Sequence, residues 1–187
     1  ASVGGTISGL TLSGGASTIR GLAINRFTNH GVNLSSGGGQ SVTGNFIGTD
    51  VSGTLDFGNA GSGVACTSNS ATIGGSASPG LVNLISGNSV HGLAFSNSNS
   101  DVIQNNLIGT KANGSSALGN GVEGISFAGA GSLFNTIGGT GTGESNTIAF
   151  NGGDGVNLFS TGNSNTIRGK SKISYGATSV DFGIVLG

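Results

Sequence analysis

Residues 124–127 read Gly-Ile-Ser-Phe, and this order of glycine, aliphatic residue, small or polar residue and apolar residue occurs seven times in the chain. The seven copies lie at 9–12, 31–34, 63–66, 92–95, 124–127, 155–158 and 183–186. Recurrence at a spacing of roughly 20 to 35 residues is typical of a solenoid, in which each repeat forms one coil. The repeat gives most residues a structural position before any chemistry is considered.

The composition favours strands and turns over helices. Of 187 residues, 34% are hydrophobic, 7% are charged and 40 are glycine. Disordered chains combine low hydrophobicity with high net charge, whereas the formal charge here is -1 and the apolar residues are regularly placed. Because Gly, Asn, Ser and Thr are abundant, helix formation is unfavourable almost everywhere. We therefore predict an all-β protein.

Alignment on the recurring glycine predicts one domain, 1–187, built from six coils with a partial coil at each end. The coils span 9–30, 31–62, 63–91, 92–123, 124–154 and 155–182. In each coil an Ile or Val marks a second short strand, and an Ile marks a third. The second strands carry Ile19, Val42, Ile73, Ile103, Ile137 and Ile167; the third carry Ile24, Ile47, Ile85, Ile108, Ile148 and Ile173. Three strands per coil predict a three-sided coil.

Insertions alternate between two places. Coils 31–62 and 92–123 have extra residues after the third strand, whereas coils 63–91 and 124–154 have them between the second and third strands. These insertions are at 51–58, 112–119, 76–80 and 140–145. Because they leave the strand residues in phase, we predict that they are loops at the corners of the coil.

The first strands predict two apolar columns, because side chains alternate between the faces of a strand. The second of these columns reads Leu12, Leu34, Cys66, Phe95, Phe127, Leu158 and Leu186. Parallel coils stack about 4.8 Å apart, so Phe95 and Phe127 are predicted to lie against each other. Cys66 is the only cysteine, and we interpret it as a buried packing residue that cannot form an internal disulfide.

A polar column is predicted at the corner before the third strand. Two positions before the third-strand Ile, four coils carry asparagine: Asn45, Asn83, Asn106 and Asn146. An inward asparagine can hydrogen-bond backbone groups and the amide of the next coil. We therefore predict a structural ladder of side-chain amides along the helix axis.

These repeats carry a family resemblance. The strings GNFIGTD (44–50), NLISGN (83–88), NNLIGTK (105–111), NTIGG (135–139) and NTIAFN (146–151) resemble the Asn-rich repeats of right-handed parallel β-helix proteins in the pectate-lyase-like superfamily, especially long secreted bacterial proteins. The resemblance implies a single-stranded right-handed parallel β-helix. It also implies an extracellular or cell-surface location, with the signal segment outside this chain. Left-handed β-helices are the alternative, and the variable insertions argue against them.

Candidate catalytic residues are few. The resemblance implies that enzymes of this fold carry several acidic residues, often with Ca²⁺, whereas most acidic residues here fall at unrelated coil positions. One column consists of the residues immediately before the first-strand glycines. On three adjacent coils it contains His91, Glu123 and Asp154. Two such carboxyl groups would have the spacing of a retaining glycosidase pair, or would share a cation. We favour the alternative of a solvated corner column, and predict no catalytic, cofactor or metal site.

The preferred hypothesis is a non-catalytic structural or surface module: a rigid spacer, an adhesin segment or a filament subunit that stacks head to tail. The expected partner is another copy at an open end of the β-helix, or continuation in a longer chain. The alternative is a carbohydrate-active or glycan-binding β-helix with surface glycans as partners. Six basic against seven acidic residues argue against nucleic acid, and the absence of an apolar run of about 18 residues argues against membrane insertion.

Overall fold

The computed structural model describes residues 5–75, 81–159, 164–169, 172–173 and 184–186. It is all-β and forms a right-handed parallel β-helix with three strands in each coil, which confirms the predicted fold class. The insertion predicted at 76–80 and the end of the predicted coil 155–182 lie outside the described residues.

The three strands of each coil belong to three separate parallel sheets, and coils follow one another in order along each sheet. The first sheet contains β1 (Leu10–Leu12), β4 (Val32–Leu34), β7 (Val64–Cys66), β10 (Leu93–Ser96), β13 (Ile125–Ala128), β16 (Val156–Phe159) and β19 (Ile184–Leu186). The second contains β2 (Thr18–Arg20), β5 (Ser41–Thr43), β8 (Thr72–Gly74), β11 (Val102–Gln104), β14 (Thr136–Gly138) and β17 (Thr166–Arg168). The third contains β3 (Ala23–Ile24), β6 (Phe46–Ile47), β9 (Asn83–Ile85), β12 (Asn106–Ile108), β15 (Thr147–Ile148) and β18 (Lys172–Ile173).

The recurring glycine before a first strand, here Gly63, is required by close packing against the third strand of its own coil and against the next coil. A Cβ atom at Gly63 would lie 2.5 Å from Ile85 Cγ2 and 2.8 Å from the carbonyl oxygen of Gly92. Real Cβ atoms do not approach other atoms so closely, and a larger residue would displace the Ile85 side chain and push the next coil away. Gly63 is not among the residues with positive φ. Close packing, and not a left-handed backbone, therefore explains this glycine.

The interior of the coil is a continuous apolar core. The inward residues of the first strands are buried, including Leu34, Cys66, Phe95, Phe127 and Leu158. They pack against the buried Ile and Val residues of the other two sheets. Each fully buried aliphatic or aromatic side chain contributes about 1.5 to 3 kcal/mol to folding, so these columns are the main source of stability.

Two corner loops follow the third strands of alternate coils and touch each other across the coil between them. One is closed by an antiparallel bridge between Thr49 and Asp56, and the other by a bridge between Thr110 and Ala117. We call them loop A (50–56) and loop B (111–117). The Ala112 amide of loop B donates to a carbonyl oxygen of loop A at 3.0 Å. The two-coil repeat of the sequence therefore corresponds to a direct contact between loops.

Candidate functional site

The structure places the predicted His91, Glu123 and Asp154 on adjacent coils at the corner before the first sheet. The carbonyl oxygens of Glu123 and Asp154 accept hydrogen bonds from Gly92 and Gly124, the glycines that begin the first strands of the preceding coils, at 3.0 and 2.9 Å. These backbone contacts hold consecutive members of the column one coil apart. We call these three residues, together with His30 and Ser62 at the same position of the two preceding coils, the corner column.

Within the corner column, His91 and Glu123 form a pair. His91 Nδ1 and Glu123 Oε2 are 2.5 Å apart, and the two side chains are 24% and 17% exposed. Both atoms are shielded from solvent, and neither has another hydrogen-bond partner. The Glu123 carboxylate is therefore directed to the imidazole of the preceding coil.

Asp154 is directed to its own strand. Its Oδ2 atom accepts a hydrogen bond from Asn157 Nδ2 at 3.4 Å. A glycosidase of the retaining type needs two carboxyl groups that face one scissile bond across a shared gap. Here Glu123 is engaged by His91, and Asp154 by Asn157, so the two carboxylates of the column have separate partners.

His30 extends the corner column toward the first coil. Its Nδ1 atom accepts a hydrogen bond from the Ser62 backbone amide at 3.0 Å. Burial lowers the pKa of His30, and the positive charge of a protonated His91 lowers it further. Across the described ranges, no three His, Cys, Asp or Glu side chains are grouped so that they could hold a metal ion. The geometry of the column is that of a coil-to-coil contact at the surface.

The predicted asparagine ladder lies at the corner between the second and third sheets. Asn45, Asn83, Asn106 and Asn146 are all buried. Asn83 Nδ2 donates to Asn106 Oδ1 at 2.9 Å, and Asn106 Nδ2 donates to Asn146 Oδ1 at 3.0 Å. Asn83 Nδ2 also donates to the backbone oxygen of Val42 on the preceding coil. The ladder satisfies turn groups that would otherwise be buried without partners.

A second ladder, which the sequence analysis missed, lies at the corner between the third and first sheets. It consists of Asn59, Asn88, Asn120 and Asn151, and all four are buried. The Nδ2 atom of each of the first three donates to Oδ1 of the next at 2.8 to 2.9 Å. The signal was present in the sequence, because each of these asparagines stands four residues before a recurring glycine.

A third file of polar side chains lies before the second sheet and contains a buried carboxyl group. The Ala71 amide donates to Asp101 Oδ1 at 2.8 Å, and the Asp101 amide donates to Asn135 Oδ1 at 2.9 Å. Asp101 Oδ2 accepts a hydrogen bond from Ser98 Oγ at 2.5 Å. Burial raises the pKa of Asp101 to about 6, although the hydrogen bonds from Ser98 and Ala71 oppose that shift. No role was predicted for Asp101 from the sequence.

Cys66 lies beside this third file. Its Sγ atom is 3.4 Å from the Ser68 hydroxyl and 3.5 Å from the Ser98 hydroxyl. Burial raises the pKa of the Cys66 thiol, which keeps it in the unreactive protonated form. Its contacts are those of a packing residue.

Asp50 closes loop A. Its carboxylate accepts hydrogen bonds from the amides of Ser52, Thr54 and Leu55 and from the Ser52 hydroxyl. The side-chain hydrogen bond from Ser52, followed by the backbone bonds, holds the pKa of Asp50 well below its usual range. In loop B, Asn113 Oδ1 accepts from the two amides equivalent to those of Thr54 and Leu55. The carboxylate oxygens of Asp50 are therefore occupied by the loop backbone.

No protein-family model, curated protein or solved structure matches the chain. Within the described ranges no helix is both long and apolar enough to span a membrane.

Proposed function

We propose that this chain is a non-catalytic structural segment of an extracellular or cell-surface β-helix, acting as a rigid spacer, an adhesin segment or a subunit that stacks head to tail. One observation carries the proposal: at all three corners, polar side chains form hydrogen bonds from one coil to the next. Buried hydrogen-bonded networks make a structure rigid and specify one arrangement, which is the property that a spacer needs. Solenoid coils contact mainly their neighbours, so this stiffness extends along the axis.

A relationship to the secreted proteins of the pectate-lyase-like superfamily is part of the same proposal. It is supported by the Asn-rich repeat strings together with the parallel coils of three strands. The superfamily resemblance also supports the extracellular or cell-surface location.

The stacking branch of the proposal predicts axial association. In the described structure β1, β2 and β3 lie at one end of their sheets, and each pairs with a strand on one side only. Edge strands present unpaired amide and carbonyl groups that template pairing with another chain. Electron microscopy over a range of protein concentrations, with sedimentation analysis, tests this branch. Fibres with a repeat of about 4.8 Å support it, and a particle that stays monomeric at all concentrations refutes it.

The second candidate function is action on, or binding of, a glycan at the corner column. It is favoured by the partial exposure of the His91 and Glu123 pair. A panel of acidic and neutral polysaccharides should be assayed with the wild-type chain and with the Glu123→Gln, Asp154→Asn double variant. The matched control is Asp56→Asn, on loop A outside the column. Binding or turnover that is lost in the double variant and kept in the control would establish this function in place of the structural one.

A further inference from the structure

Three asparagines of the chain directly precede a glycine, and the structure places them in two different surroundings. In such a pair the glycine amide nitrogen can attack the asparagine side chain, because glycine has no Cβ atom to hinder the approach. Asn120 and Asn151 belong to the buried ladder between the third and first sheets and are 2% and 1% exposed. Asn113 lies in loop B and is exposed. The same reactive pair therefore occurs twice inside the ladder and once at the surface.

In the ladder, both the side-chain amide and the attacking backbone amide are held by neighbouring coils. Asn120 Nδ2 donates to Asn151 Oδ1 at 2.9 Å. The Gly121 amide donates to the carbonyl oxygen of Asn88 on the preceding coil at 2.8 Å, and the Gly152 amide donates to that of Asn120 at 2.9 Å. Attack at either ladder asparagine therefore requires that the coils separate.

In loop B the corresponding groups are held by the loop itself. The Gly114 amide donates to the carbonyl oxygen of Lys111 at 2.9 Å. Asn113 Nδ2 donates to Ser116 Oγ at 2.8 Å. Opening these bonds costs little free energy, because groups of an exposed loop exchange such partners for water while the core stays packed. Asn113 therefore reaches the reactive conformation without unfolding of the β-helix.

Loop B also polarises the side-chain carbonyl group of Asn113. Its Oδ1 atom accepts hydrogen bonds from the amides of Ser115 and Ser116 at 3.0 and 2.9 Å. Two amides directed at one carbonyl oxygen stabilise the negative charge that develops on that oxygen when the carbon is attacked. The Ser116 hydroxyl lies beside Nδ2, the nitrogen that would leave, and is placed to pass a proton to it.

We propose that Asn113 is a self-modification site, at which Gly114 and water convert the asparagine into aspartate and isoaspartate. The Gly114 nitrogen loses its proton and bonds to Asn113 Cγ, and the bond from Cγ to Nδ2 breaks with release of ammonia. The cyclic imide that results takes up one water molecule and opens at either of its two carbonyl carbons. The net change is amide and water to carboxylate and ammonium, with no oxidation or reduction.

Loop A shows that a carboxylate fits the hydrogen bonds of this turn. Asp50 Oδ1 accepts from the amides of Thr54 and Leu55 at 2.9 Å each. These amides are the counterparts of those of Ser115 and Ser116, although Asp50 reaches them from a different position of the loop. Aspartate at position 113 therefore keeps both hydrogen bonds and adds one negative charge to loop B.

Isoaspartate changes the loop more, because its backbone has one additional carbon between Ala112 and Gly114. The Ala112 amide donates to the carbonyl oxygen of Gly53 at 3.0 Å, which is the contact between loops A and B. The modification would thus alter that contact and leave the core of the coil unchanged.

The test compares the three asparagines within one chain. The folded protein, and the protein unfolded in guanidinium chloride, are incubated at mildly alkaline pH in water enriched in heavy oxygen and are then digested in ordinary water. Trypsin cleaves after Lys111 and Arg168, so the single peptide 112–168 carries all three asparagines, and its fragment masses locate each labelled carboxylate. In the folded chain, label should appear at position 113 more than about tenfold faster than at positions 120 and 151. In guanidinium chloride the three rates should become similar, because all three side chains are then exposed.

The Gly114→Ala variant tests the attacking group. A Cβ atom at Gly114 would lie 3.4 Å from Leu107 Cδ2, an ordinary contact, but it would hinder attack by the adjacent nitrogen. Labelling at position 113 should therefore slow severalfold, both in the folded variant and in guanidinium chloride, where loop structure plays no part.

Three results would overturn the proposal. If the folded chain keeps the amide at position 113 while the unfolded chain loses it, loop B protects Asn113 and does not expose it to attack. Equal labelling of the three positions in the folded chain would mean that the reaction follows unfolding of the whole β-helix. An unchanged rate in Gly114→Ala would mean that water hydrolyses the side chain without attack by the Gly114 amide.

Discussion

Phe95 and Phe127 stack face to face on adjacent coils, with ring centroids 4.3 Å apart and ring planes inclined by 8°. Their strands pair in register, Phe95 opposite Phe127, so the geometry of the ladder imposes this near-parallel arrangement. Both rings are fully buried in the column that also contains Leu34, Cys66 and Leu158. The aromatic pair is the bulkiest part of the core and joins the middle coils.

The first prediction concerns this stack. Phe127→Ala should lower the free energy of unfolding by about 3 to 5 kcal/mol, because it removes buried apolar surface and leaves a cavity between coils. The matched control is Phe159→Ala at the end of β16, where the ring is 67% exposed and the expected change is within about 0.5 kcal/mol. Urea denaturation followed by circular dichroism measures both. Equal losses in the two variants would contradict the assigned core.

The second prediction concerns the ladder between the third and first sheets. Asn88→Ala should lower the free energy of unfolding by at least about 2 kcal/mol. Asn88 accepts hydrogen bonds from the Asn59 side chain and backbone amide and donates one to Asn120 Oδ1, so the substitution would leave these buried groups without partners. The control is Asn113→Ala in exposed loop B, where water replaces the lost partner and the cost should be under about 1 kcal/mol. Thermal and urea unfolding of both variants measure the difference. A ladder asparagine that costs no more than the loop asparagine would show that the network is not important for stability.

The third prediction concerns the buried carboxyl group of Asp101. Its folded-state pKa of about 6 lies above the ordinary value of 3.8, so folding favours the protonated form. The stabilisation that comes from this raised pKa is therefore fully present below about pH 4. It is lost as the pH rises through about 6, which lowers the free energy of unfolding by up to roughly 3 kcal/mol.

Asp101→Asn should remove this pH dependence and make the protein more stable than wild type at pH 7. The amide matches the asparagines at 135 and 165 in the same file, and its Nδ2 would face the Ser98 hydroxyl. Urea denaturation of both proteins from pH 4 to pH 8 gives the difference in unfolding free energy. If wild type gains stability relative to the variant as the pH rises from 4 to 6, the assigned protonation is wrong.

The fold was predictable because its signal is strictly periodic. Alternation within Val64–Cys66 and its equivalents identifies the inward columns, and each buried strand repeats the same pattern. Corner residues are harder to assign, since a turn has no alternating faces. The position of Asn45 was predicted because it stands at a fixed number of residues from a strand residue. Asn59 and Asp101 stand at equally fixed distances from Gly63 and Val102, but those distances were not used, and both residues were missed.

The contact between loops A and B was beyond sequence reasoning. The insertions at 51–58 and 112–119 lie 61 residues apart in the sequence, but this spacing does not show that Gly53 reaches Ala112 across the intervening coil. Such a contact depends on the direction in which each loop extends along the helix axis. Turn geometry determines that direction, and the periodicity of the sequence does not.

The fourth prediction tests why the recurring glycine is needed. Gly63→Ala should destabilise the chain strongly, because its Cβ would lie 2.5 Å from Ile85 Cγ2 and 2.8 Å from the Gly92 carbonyl oxygen. Forcing extra volume into a packed interior costs typically 1 to 3 kcal/mol, and here a backbone oxygen must also move, so we expect at least about 3 kcal/mol. Gly14→Ala is the control, since nothing lies within 4 Å of its Cβ position, and it should change stability by less than about 1 kcal/mol. Both variants are measured by urea unfolding, with hydrogen exchange at Val64 and Leu93 reporting local separation of the coils. A Gly63→Ala protein as stable as the control would mean that there is more space around Gly63, within its coil and toward the next one, than these contacts indicate.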